Sequence, residues 1–248
     1  MKVLVLGGTG ATGKQLLIQL LEKGHEVHAV VRSITSLPNE LVQNENLTLT
    51  EASVLDLDET TLEELISDCD AATSCLGHNL SLRGIFGPPY RLVTEAARRV
   101  CSAVQNTKPE RTFKFVLMNT TGNRNRDLNE KVSFAQLCIV GLLRYVIPPH
   151  ADNEDAAEFL RSAIGHSNNQ LEWVVVRPDT LIDEANVSPY SLHASPIRSA
   201  IFDAGKTSRI NVANFMAELI EDDDLWQTWK GKMPVIYNST SSPDTPKA

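Results

Sequence analysis

Short runs of valine, leucine and isoleucine recur along the 248-residue chain, and they alternate with longer segments whose apolar residues follow helical spacing. The apolar runs predict strands at residues 2–6, 26–31, 47–52, 71–76, 113–118, 171–176 and 234–237. The helical pattern predicts helices at residues 14–23, 60–66, 90–105, 152–163 and 212–221. Apolar strands that alternate with helices are typical of a doubly wound α/β fold, a mainly parallel sheet with helices on both faces.

Two stretches interrupt this alternation, at about residues 119–150 and 179–208. Long insertions in a compact domain are usually functional, and both of these follow predicted strands, so we expect the substrate pocket to lie between them at the carboxyl edge of the sheet. Residues 1–238 are predicted to form a single domain. Residues 239–248, rich in serine, threonine and proline, are predicted to be a disordered tail.

The charge balance changes the list of possible partners. The chain has 31 acidic and 23 basic residues, for a formal net charge of −8, and its nearest approach to a basic cluster is the pair Arg124 and Arg126. Because phosphate backbones are bound by clustered lysine and arginine, a nucleic acid partner is not expected. A small-molecule substrate is predicted instead.

Cysteine usage and the apolar segments bear on where the protein resides. The four cysteines form no Cys-x-x-Cys pair, and the first residues lead directly into a strand-like run without a secretory signal, so a cytoplasmic location is predicted. The apolar segment 134–147 is too short to span a bilayer, which takes about 20 residues. It is predicted to be a buried helix or a contact for a protein partner or a second copy of the chain.

A glycine-rich turn follows the first predicted strand and satisfies the spacing Gly-x-Gly-x-x-Gly from Gly8 to Gly13. Glycines at these positions permit a tight turn, a close approach of backbone to a pyrophosphate, and close packing of the helix on the strand. The phosphates would then lie on N–H groups at the helix N-terminus. A purely structural turn is the alternative. The turn residues predicted to bind the cofactor are Gly7, Thr9, Gly10, Ala11, Thr12 and Gly13.

The second predicted strand ends in Arg32 and Ser33 rather than in an acidic residue. In NAD-binding proteins an aspartate or glutamate at this position accepts from the adenosine ribose, whereas a guanidinium can pair with the 2′-phosphate of NADP. The sequence therefore predicts NADP in preference to NAD, with Ser33 adding a hydroxyl. The alternative for Arg32 is an ordinary solvated side chain.

Further cofactor contacts are predicted where the third and fourth strands end. Asp56, followed by Leu57, is placed to meet the adenine amino group, and Leu76 and Gly77 lie where a dinucleotide would cross the fourth strand. For Asp56 an equally good alternative is the N-terminal capping acid of the following helix.

The chain resembles the atypical short-chain dehydrogenase/reductases, specifically their NmrA-like and biliverdin/flavin-reductase-like branch. The resemblance covers about residues 1–220 and rests on the glycine-rich turn, Val-Val-Arg, Val-Leu-Asp, Cys-Leu-Gly, Val175-Val176-Arg177-Pro178 and the late segment 208–213. It implies a Rossmann-type fold, NADPH as cofactor, and hydride transfer to a flavin, a tetrapyrrole, a quinone or another conjugated acceptor.

One catalytic feature of most short-chain dehydrogenases is missing, because none of the four tyrosines is followed by lysine in a Tyr-x-x-x-Lys pair. Hydride delivery to an electron-poor conjugated ring remains possible, since the protein then mainly positions two planar molecules and solvent can supply the proton. The catalytic candidates near the nicotinamide are Asn119, Thr120, Thr121 and Tyr90, and Pro178 and Asn119 are also predicted cofactor contacts. Capping and loop bonding is the alternative role for the Asn and Thr side chains.

Two histidines are candidates for additional site groups. His78, like Tyr90, follows the fourth strand and can face the pocket, and His150 can donate a proton, although its position favours a helix start. No metal site is predicted. Besides a reductase, two functions remain open: a non-catalytic NADP-binding redox sensor of the NmrA type, and an epimerase-like enzyme or assembly factor that retains the fold.

Overall fold

The computed structural model of the protein describes residues 1–78, 87–128, 130, 148–199 and 202–239. Ten strands lie within these ranges. They are β1 (Lys2–Leu6), β2 (Glu26–Val31), β3 (Leu47–Glu51), β4 (Ala71–Ser74), β5 (Phe113–Met118), β6 (Leu171–Pro178), β7 (Thr180–Ile182), β8 (Tyr190–His193), β9 (Lys206–Ser208) and β10 (Val235–Asn238).

Eight of the strands form one sheet in the order β3-β2-β1-β4-β5-β6-β10-β8. All neighbours pair in parallel except β8, which runs antiparallel to β10 at the edge. β7 and β9 form a separate parallel pair. The chain reverses its direction of winding between β1 and β4, which makes this the switch point of a doubly wound sheet. The predicted Rossmann-type fold is confirmed.

Helices cover both faces of the sheet. They are α1 (Ala11–Glu22), α2 (Asn39–Val42), α3 (Glu59–Ser67), α4 (Leu92–Thr107), α5 (Pro148–Phe159), α6 (Arg209–Glu221) and α7 (Asp223–Trp229). Side chains of β1 alternate between the faces: Val3 and Val5 join the core that contains α1 and α6, whereas Leu4 and Leu6 join the core that contains α3, α4 and α5. Burial on both faces explains why the strand sequences are almost continuously apolar.

Several predicted boundaries differ from the observed ones. α1 begins at Ala11, three residues before the predicted start, because the glycine-rich turn enters the helix directly. β4 ends at Ser74, so Leu76 and Gly77 lie beyond the strand. β6 continues to Pro178, two residues past the predicted end. α5 starts at Pro148 and is followed by a π-helical turn at Leu160–Ile164.

The stretch 179–208 is more regular than its sequence indicates. It holds β7, β8 and β9, each only three or four residues long, and these short strands are too brief to produce a readable alternation. The acidic run at residues 221–224 is exposed, and it leads into α7, because the Asp222 carboxylate accepts a hydrogen bond from the Leu225 N–H at 3.0 Å.

Other predictions fall outside the described residues. These include the apolar segment 134–147, Cys138 and residues 240–248 of the tail. Over the described ranges, no helix has the length and apolar character needed to cross a membrane.

Candidate dinucleotide-binding site

The glycine-rich turn lies at the switch point, between the carboxyl ends of β1 and β4. Gly7 has a φ of +80°, a backbone conformation that favours glycine. A Cβ atom on Gly7 would lie 2.7 Å from the carbonyl carbon of Cys75 and 2.8 Å from the Leu76 nitrogen. Glycine is therefore required here on two grounds, since a side chain would strain the backbone and collide with the segment after β4.

Gly13 provides the close packing of α1 against the turn. A Cβ atom on Gly13 would lie 2.1 Å from the Gly7 carbonyl oxygen, well inside van der Waals contact. α1 starts after Gly10, which offers no side chain to cap the helix, so its first-turn N–H groups are not satisfied by a capping side chain. Such an N-terminus, at the point where the strands diverge, is suited to the pyrophosphate of a dinucleotide.

A cleft opens in front of this turn, bounded by the ends of β1, β2 and β4, the loop after β3 and the start of α4. The predicted cofactor residues that line it are Gly7, Thr9, Gly10, Arg32, Leu76 and Gly77. Ala11, Thr12 and Gly13 lie just behind it in the first turn of α1. The predicted residues Ser33, Asp56, Leu57, Asn119 and Pro178 are not part of the lining. The cleft thus unites the phosphate and adenosine portions of the predicted site.

The end of the cleft where the sequence predicts adenosine carries an exposed guanidinium. Arg32 follows β2 and lines the cleft with an exposed side chain. The hydroxyls of Ser33 and Thr35 are 2.8 Å apart. An acidic side chain that sequence reasoning missed, Glu51 at the end of β3, accepts a hydrogen bond from the Ile34 N–H at 3.1 Å. Pairing of β2 with β3 brings Glu51 here, so the acid comes from the neighbouring strand rather than from the end of β2.

The loop after β3 is held by an arginine that the sequence did not single out. The Arg99 guanidinium, on α4, donates hydrogen bonds to the carbonyl oxygens of Val54, Leu55 and Leu57. These contacts fix the loop whose residues Ser53 and Val54 line the cleft. Asp56 is exposed on this loop.

The capping alternative for Asp56 is wrong, because a different acid caps α3. The Asp58 carboxylate accepts from the Thr61 N–H at 2.7 Å. Hydrogen bonds from the backbone and the hydroxyl of Thr61 lower the pKa of Asp58. Asp56 and Asp58 are two residues apart, and α3 begins directly after Asp58, so the second of the two acids caps the helix.

At the carboxyl ends of β5 and β6, the predicted catalytic side chains make local contacts. The Asn119 amide donates to the Asn153 carbonyl at 2.8 Å, and its oxygen accepts from the Thr120 N–H at 2.9 Å. The Thr120 hydroxyl accepts from the Gly122 N–H at 3.2 Å. The Thr121 N–H donates to the Pro178 carbonyl at 3.0 Å. Asn119 thus bonds the loop and α5, which is the structural role given above as the alternative to catalysis.

His78 is directed away from the cleft and into the protein. Its Nε2 lies 2.8 Å from the Asp152 carboxylate, and both side chains are buried. The same carboxylate accepts from the N–H groups of Val93 and Thr94, so a residue of α5 caps α4. Although burial raises the pKa of Asp152, these hydrogen bonds outweigh it and hold the pKa below its ordinary value. The idea that His78 faces the pocket is therefore wrong.

The remaining two candidates take different positions. Tyr90 is 55% exposed and does not line the cleft, whereas its neighbours Pro89 and Leu92 do. His150 lies in the first turn of α5, as the helix-start interpretation predicts. Cys75 also lines the cleft, but burial raises the pKa of its thiol to about 12, so it is not a nucleophile near neutral pH.

A buried ion pair connects the two segments that interrupt the strand–helix alternation. Arg177 of β6 is fully buried, and its Nη2 lies 2.8 Å from an oxygen of Glu130. The same guanidinium donates to the carbonyl oxygens of Asn123, Met233 and Ala194 at 2.8, 2.8 and 3.2 Å. One side chain thus connects the segment after β5, the segment after β8 and the segment before β10. The sequence motif Val-Val-Arg-Pro identified this residue only by resemblance.

The described residues include no group of three or more histidine, cysteine, aspartate or glutamate side chains that could hold a metal ion. The arrangement instead has the features expected of a dinucleotide site: a glycine turn at the switch point, a helix N-terminus without a capping side chain, and an arginine at the end of the cleft where the sequence predicts adenosine. A family profile described as NAD(P)H-binding matches residues 7–223. The chain belongs to this NAD(P)H-binding family.

Solved structures agree with the fold. A short-chain dehydrogenase/reductase from Veillonella parvula DSM 2008, in complex with NADP, is 17% identical, with a TM-score of 0.67 over 100% of this chain and 99% of that one. ChuY, an anaerobilin reductase from Escherichia coli O157:H7, is 17% identical, with a TM-score of 0.66 over the full length of both chains. The oxidoreductase ylbE from Lactococcus lactis is 18% identical, with a TM-score of 0.67 over 96% of this chain and 91% of that one.

At these identities the likeness shows the fold alone. A comparison with curated protein sequences finds no match. The family model establishes membership of the NAD(P)H-binding family, and the solved structures establish the Rossmann-type fold. The acceptor has to be argued from the site.

Proposed function

We propose that the protein is an NADPH-dependent reductase that transfers hydride to a conjugated small molecule of flavin, quinone or tetrapyrrole type. The observation that carries the proposal is the cleft at the switch point, where the glycine turn and Arg32 line one continuous depression. The names of two structural neighbours, an oxidoreductase and an anaerobilin reductase, support reductase chemistry on this fold.

The cofactor assignment follows from the two ends of the cleft. The N–H groups that begin α1 would hold the pyrophosphate, and the Arg32 guanidinium would pair with the 2′-phosphate of NADP. Glu51 is engaged by the Ile34 N–H and is not at the end of β2, where an acid binding the ribose of NAD is expected. These features favour NADP over NAD.

The acceptor class follows from the chemistry available near the nicotinamide end. Bound NADPH supplies a hydride, and an acceptor that stabilises the resulting negative charge on its own conjugated ring needs little acid catalysis from the protein. Thr120 and Thr121, which follow β5, supply the candidate hydroxyls at this edge of the sheet, while Asn119 is committed to loop and helix contacts. The protein would then act mainly by positioning the two ring systems.

The direct experiment is a screen of the purified protein with NADPH against free flavins, quinones and linear tetrapyrroles, following the absorbance of reduced nicotinamide. We expect saturable oxidation with at least one class of acceptor, and slower oxidation when NADH replaces NADPH. Absence of turnover with every class, together with measurable NADPH affinity, would contradict the reductase.

A redox sensor is the second candidate, and one observation favours it. The protein lacks a Tyr-x-x-x-Lys pair, and the Asn119 side chain is hydrogen-bonded to the Asn153 carbonyl. The site therefore offers few groups for acid–base chemistry. A sensor predicts that NADP and NADPH bind with different affinities and change the surface offered to a protein partner. The proposed location for either function is the cytoplasm.

A further inference from the structure

A carboxyl group at the carboxyl edge of the sheet is held by segments that are distant in sequence. Asp179 follows β6 directly, and its carboxylate accepts hydrogen bonds from the Thr180 N–H at 2.8 Å and the Gly205 N–H at 2.9 Å. The hydroxyl of Thr121, in the segment after β5, bonds the same carboxylate. Asp179 is partly exposed, and a carboxylate has about four acceptor positions, so this group can still reach a further partner.

Glycine is needed at position 205 for this arrangement. A Cβ atom on Gly205 would lie 2.4 Å from Cδ1 of the Tyr237 ring and 3.5 Å from Oδ2 of Asp179. Tyr237 belongs to β10, in which the preceding residue, Ile236, pairs with Pro178 of β6. The Tyr237 ring and the Gly205 backbone therefore pack beside the carboxyl group and exclude water from that side.

Burial dominates the electrostatics of Asp179. It raises the pKa of the carboxyl group above its ordinary value of 3.8, although the hydrogen bonds from the three donors lower it. The guanidinium of Arg198 also lowers this pKa, but it is already paired with Asp203 at 2.9 Å. The neighbouring phenol of Tyr237 stays neutral near pH 7, because burial raises its pKa as well. A carboxylic acid whose pKa is raised toward the working pH is suited to proton transfer.

The register of the sheet brings this carboxyl group within reach of the nicotinamide half of the proposed dinucleotide. Ser74 of β4 pairs with Leu117 of β5, which pairs with Val175 of β6. Gly77, which lines the cleft, and Pro178 each lie three residues beyond that level. Neighbouring strands are about 4.8 Å apart, so the segments after β4 and β6 are about 10 Å apart. Because the proposed adenosine end is at β2, the other half of a dinucleotide extends from the glycine turn toward β5 and β6.

We infer that Asp179 donates the proton that the acceptor takes up as it is reduced, and that Thr121 and Gly205 hold this donor in position. The acceptor gains the hydride of NADPH and, at a nitrogen or oxygen atom, the proton that leaves the carboxyl group. The resulting carboxylate is stabilised by its hydrogen bonds and regains a proton from solvent, to which it is partly exposed. This inference rests on the proposed function, because it assigns the proton donor of that reaction.

The first test measures the carboxyl group directly and needs no turnover. Protein labelled with ¹³C at the aspartate carboxyl groups is titrated by NMR over about pH 3 to 8, and the Asp179 signal is assigned by its absence in Asp179→Asn. The midpoint should lie above 3.8 and should rise further in Thr121→Val, whereas Thr121→Ser, which keeps the hydroxyl, should resemble wild type. A wild-type midpoint at or below 3.8 would overturn the inference. An unchanged midpoint in Thr121→Val would contradict the role of the hydroxyl.

The second test compares quinones whose reduced forms differ in basicity, using rapid mixing of each quinone with the NADPH-loaded protein. Asp179→Asn should slow hydride transfer by about a hundredfold for the most basic reduced quinone and little for the least basic, because a strongly basic product depends most on acid catalysis. A merely structural role would slow transfer to all quinones equally. Asp183→Asn is the matched control, since this exposed carboxylate pairs with Arg209, and it should behave like wild type.

The pH dependence gives the same test a second readout. With the most basic reduced quinone, the wild-type rate should fall as the pH rises through the pKa of Asp179, because only the protonated carboxyl group donates. The rate of Asp179→Asn should not change with pH in this range. A wild-type profile that persists in Asp179→Asn would contradict the assignment of the donor.

The outcomes distinguish this inference from the proposed function. Turnover by Asp179→Asn at the wild-type rate with every quinone would contradict the proton donor and leave the reductase standing. An equal loss of rate with every quinone would also contradict the donor, since it indicates a structural role. Absence of turnover by wild type with every quinone, flavin and tetrapyrrole would contradict the reductase and the proton donor with it.

Discussion

Replacing Glu130 by glutamine tests how strongly the buried Arg177–Glu130 pair stabilises the fold. The Arg177 guanidinium is fully buried and the Glu130 side chain is 3% exposed, so the variant leaves a buried charge without its carboxylate. Removing one partner of a buried pair costs about 3–5 kcal/mol, against a total stability of about 5–15 kcal/mol for a typical domain. The carbonyl oxygens of Asn123, Met233 and Ala194 still accept from Arg177, which favours the lower end of this range.

The assay is urea denaturation followed by circular dichroism. With an m-value of about 2 kcal/mol per molar urea, the predicted loss lowers the midpoint by about 1.5–2.5 M. Asp203→Asn is the matched control, because it breaks an ion pair with Arg198 that is exposed to solvent. A double variant, Arg177→Met with Glu130→Leu, should be more stable than Glu130→Gln, since it removes both charges. A midpoint shift in Glu130→Gln no larger than that of the control would refute the reasoning.

Three further predictions concern the cofactor site and its supports. Gly77→Ala should leave the melting temperature unchanged, because a Cβ atom there meets nothing within 4 Å, but it should weaken NADPH binding in a calorimetric titration. Gly13→Ala should lower both the melting temperature and the NADPH affinity, because its Cβ atom would collide with the Gly7 carbonyl oxygen. Unaltered NADPH affinity in Gly77→Ala would contradict the predicted path of the cofactor. The pKa of Asp152 is below its ordinary value of 3.8, so the ionised carboxylate stabilises the folded protein. In urea denaturation, the stability advantage of wild type over Asp152→Asn should be complete at about pH 6 and decline as the pH falls below about 4. An advantage that persists undiminished at about pH 3 would argue against the capping role. Cys75 should resist alkylation in the native protein at about pH 8, judged by mass spectrometry, because the pKa of its thiol is raised to about 12, and rapid labelling would contradict that raised pKa.

Much of the fold could be predicted because burial on both faces leaves a strong signal in the sequence. β1, β2 and β5 have the predicted bounds, since apolar residues dominate each of them. β7 and β9 could not be predicted, because three-residue strands are fixed by tertiary pairing and carry no periodicity. The choice of Asp58 rather than Asp56 as the cap of α3 could not be predicted either, because it depends on where the preceding loop ends.

The candidate site divides in a similar way. The glycine turn and Arg32 could be predicted because each depends on a few consecutive residues: the spacing of the glycines, and a charged residue directly after a strand. Arg99, Asp152 and Arg177 could not, since each acts on segments that are distant in sequence. His78 shows the converse: a histidine that follows a strand at the carboxyl edge is directed into the protein by a carboxylate 74 residues away.

The central claim is that NADP(H) lies in the cleft between β1 and β4 with its 2′-phosphate on Arg32. Calorimetric titration of wild type and Arg32→Asp with NADPH and with NADH tests it most directly. Wild type should bind NADPH more tightly, and the substitution should weaken NADPH by about tenfold or more while changing NADH little, because only NADPH carries the extra phosphate. Equal effects of Arg32→Asp on both nucleotides would contradict the claim.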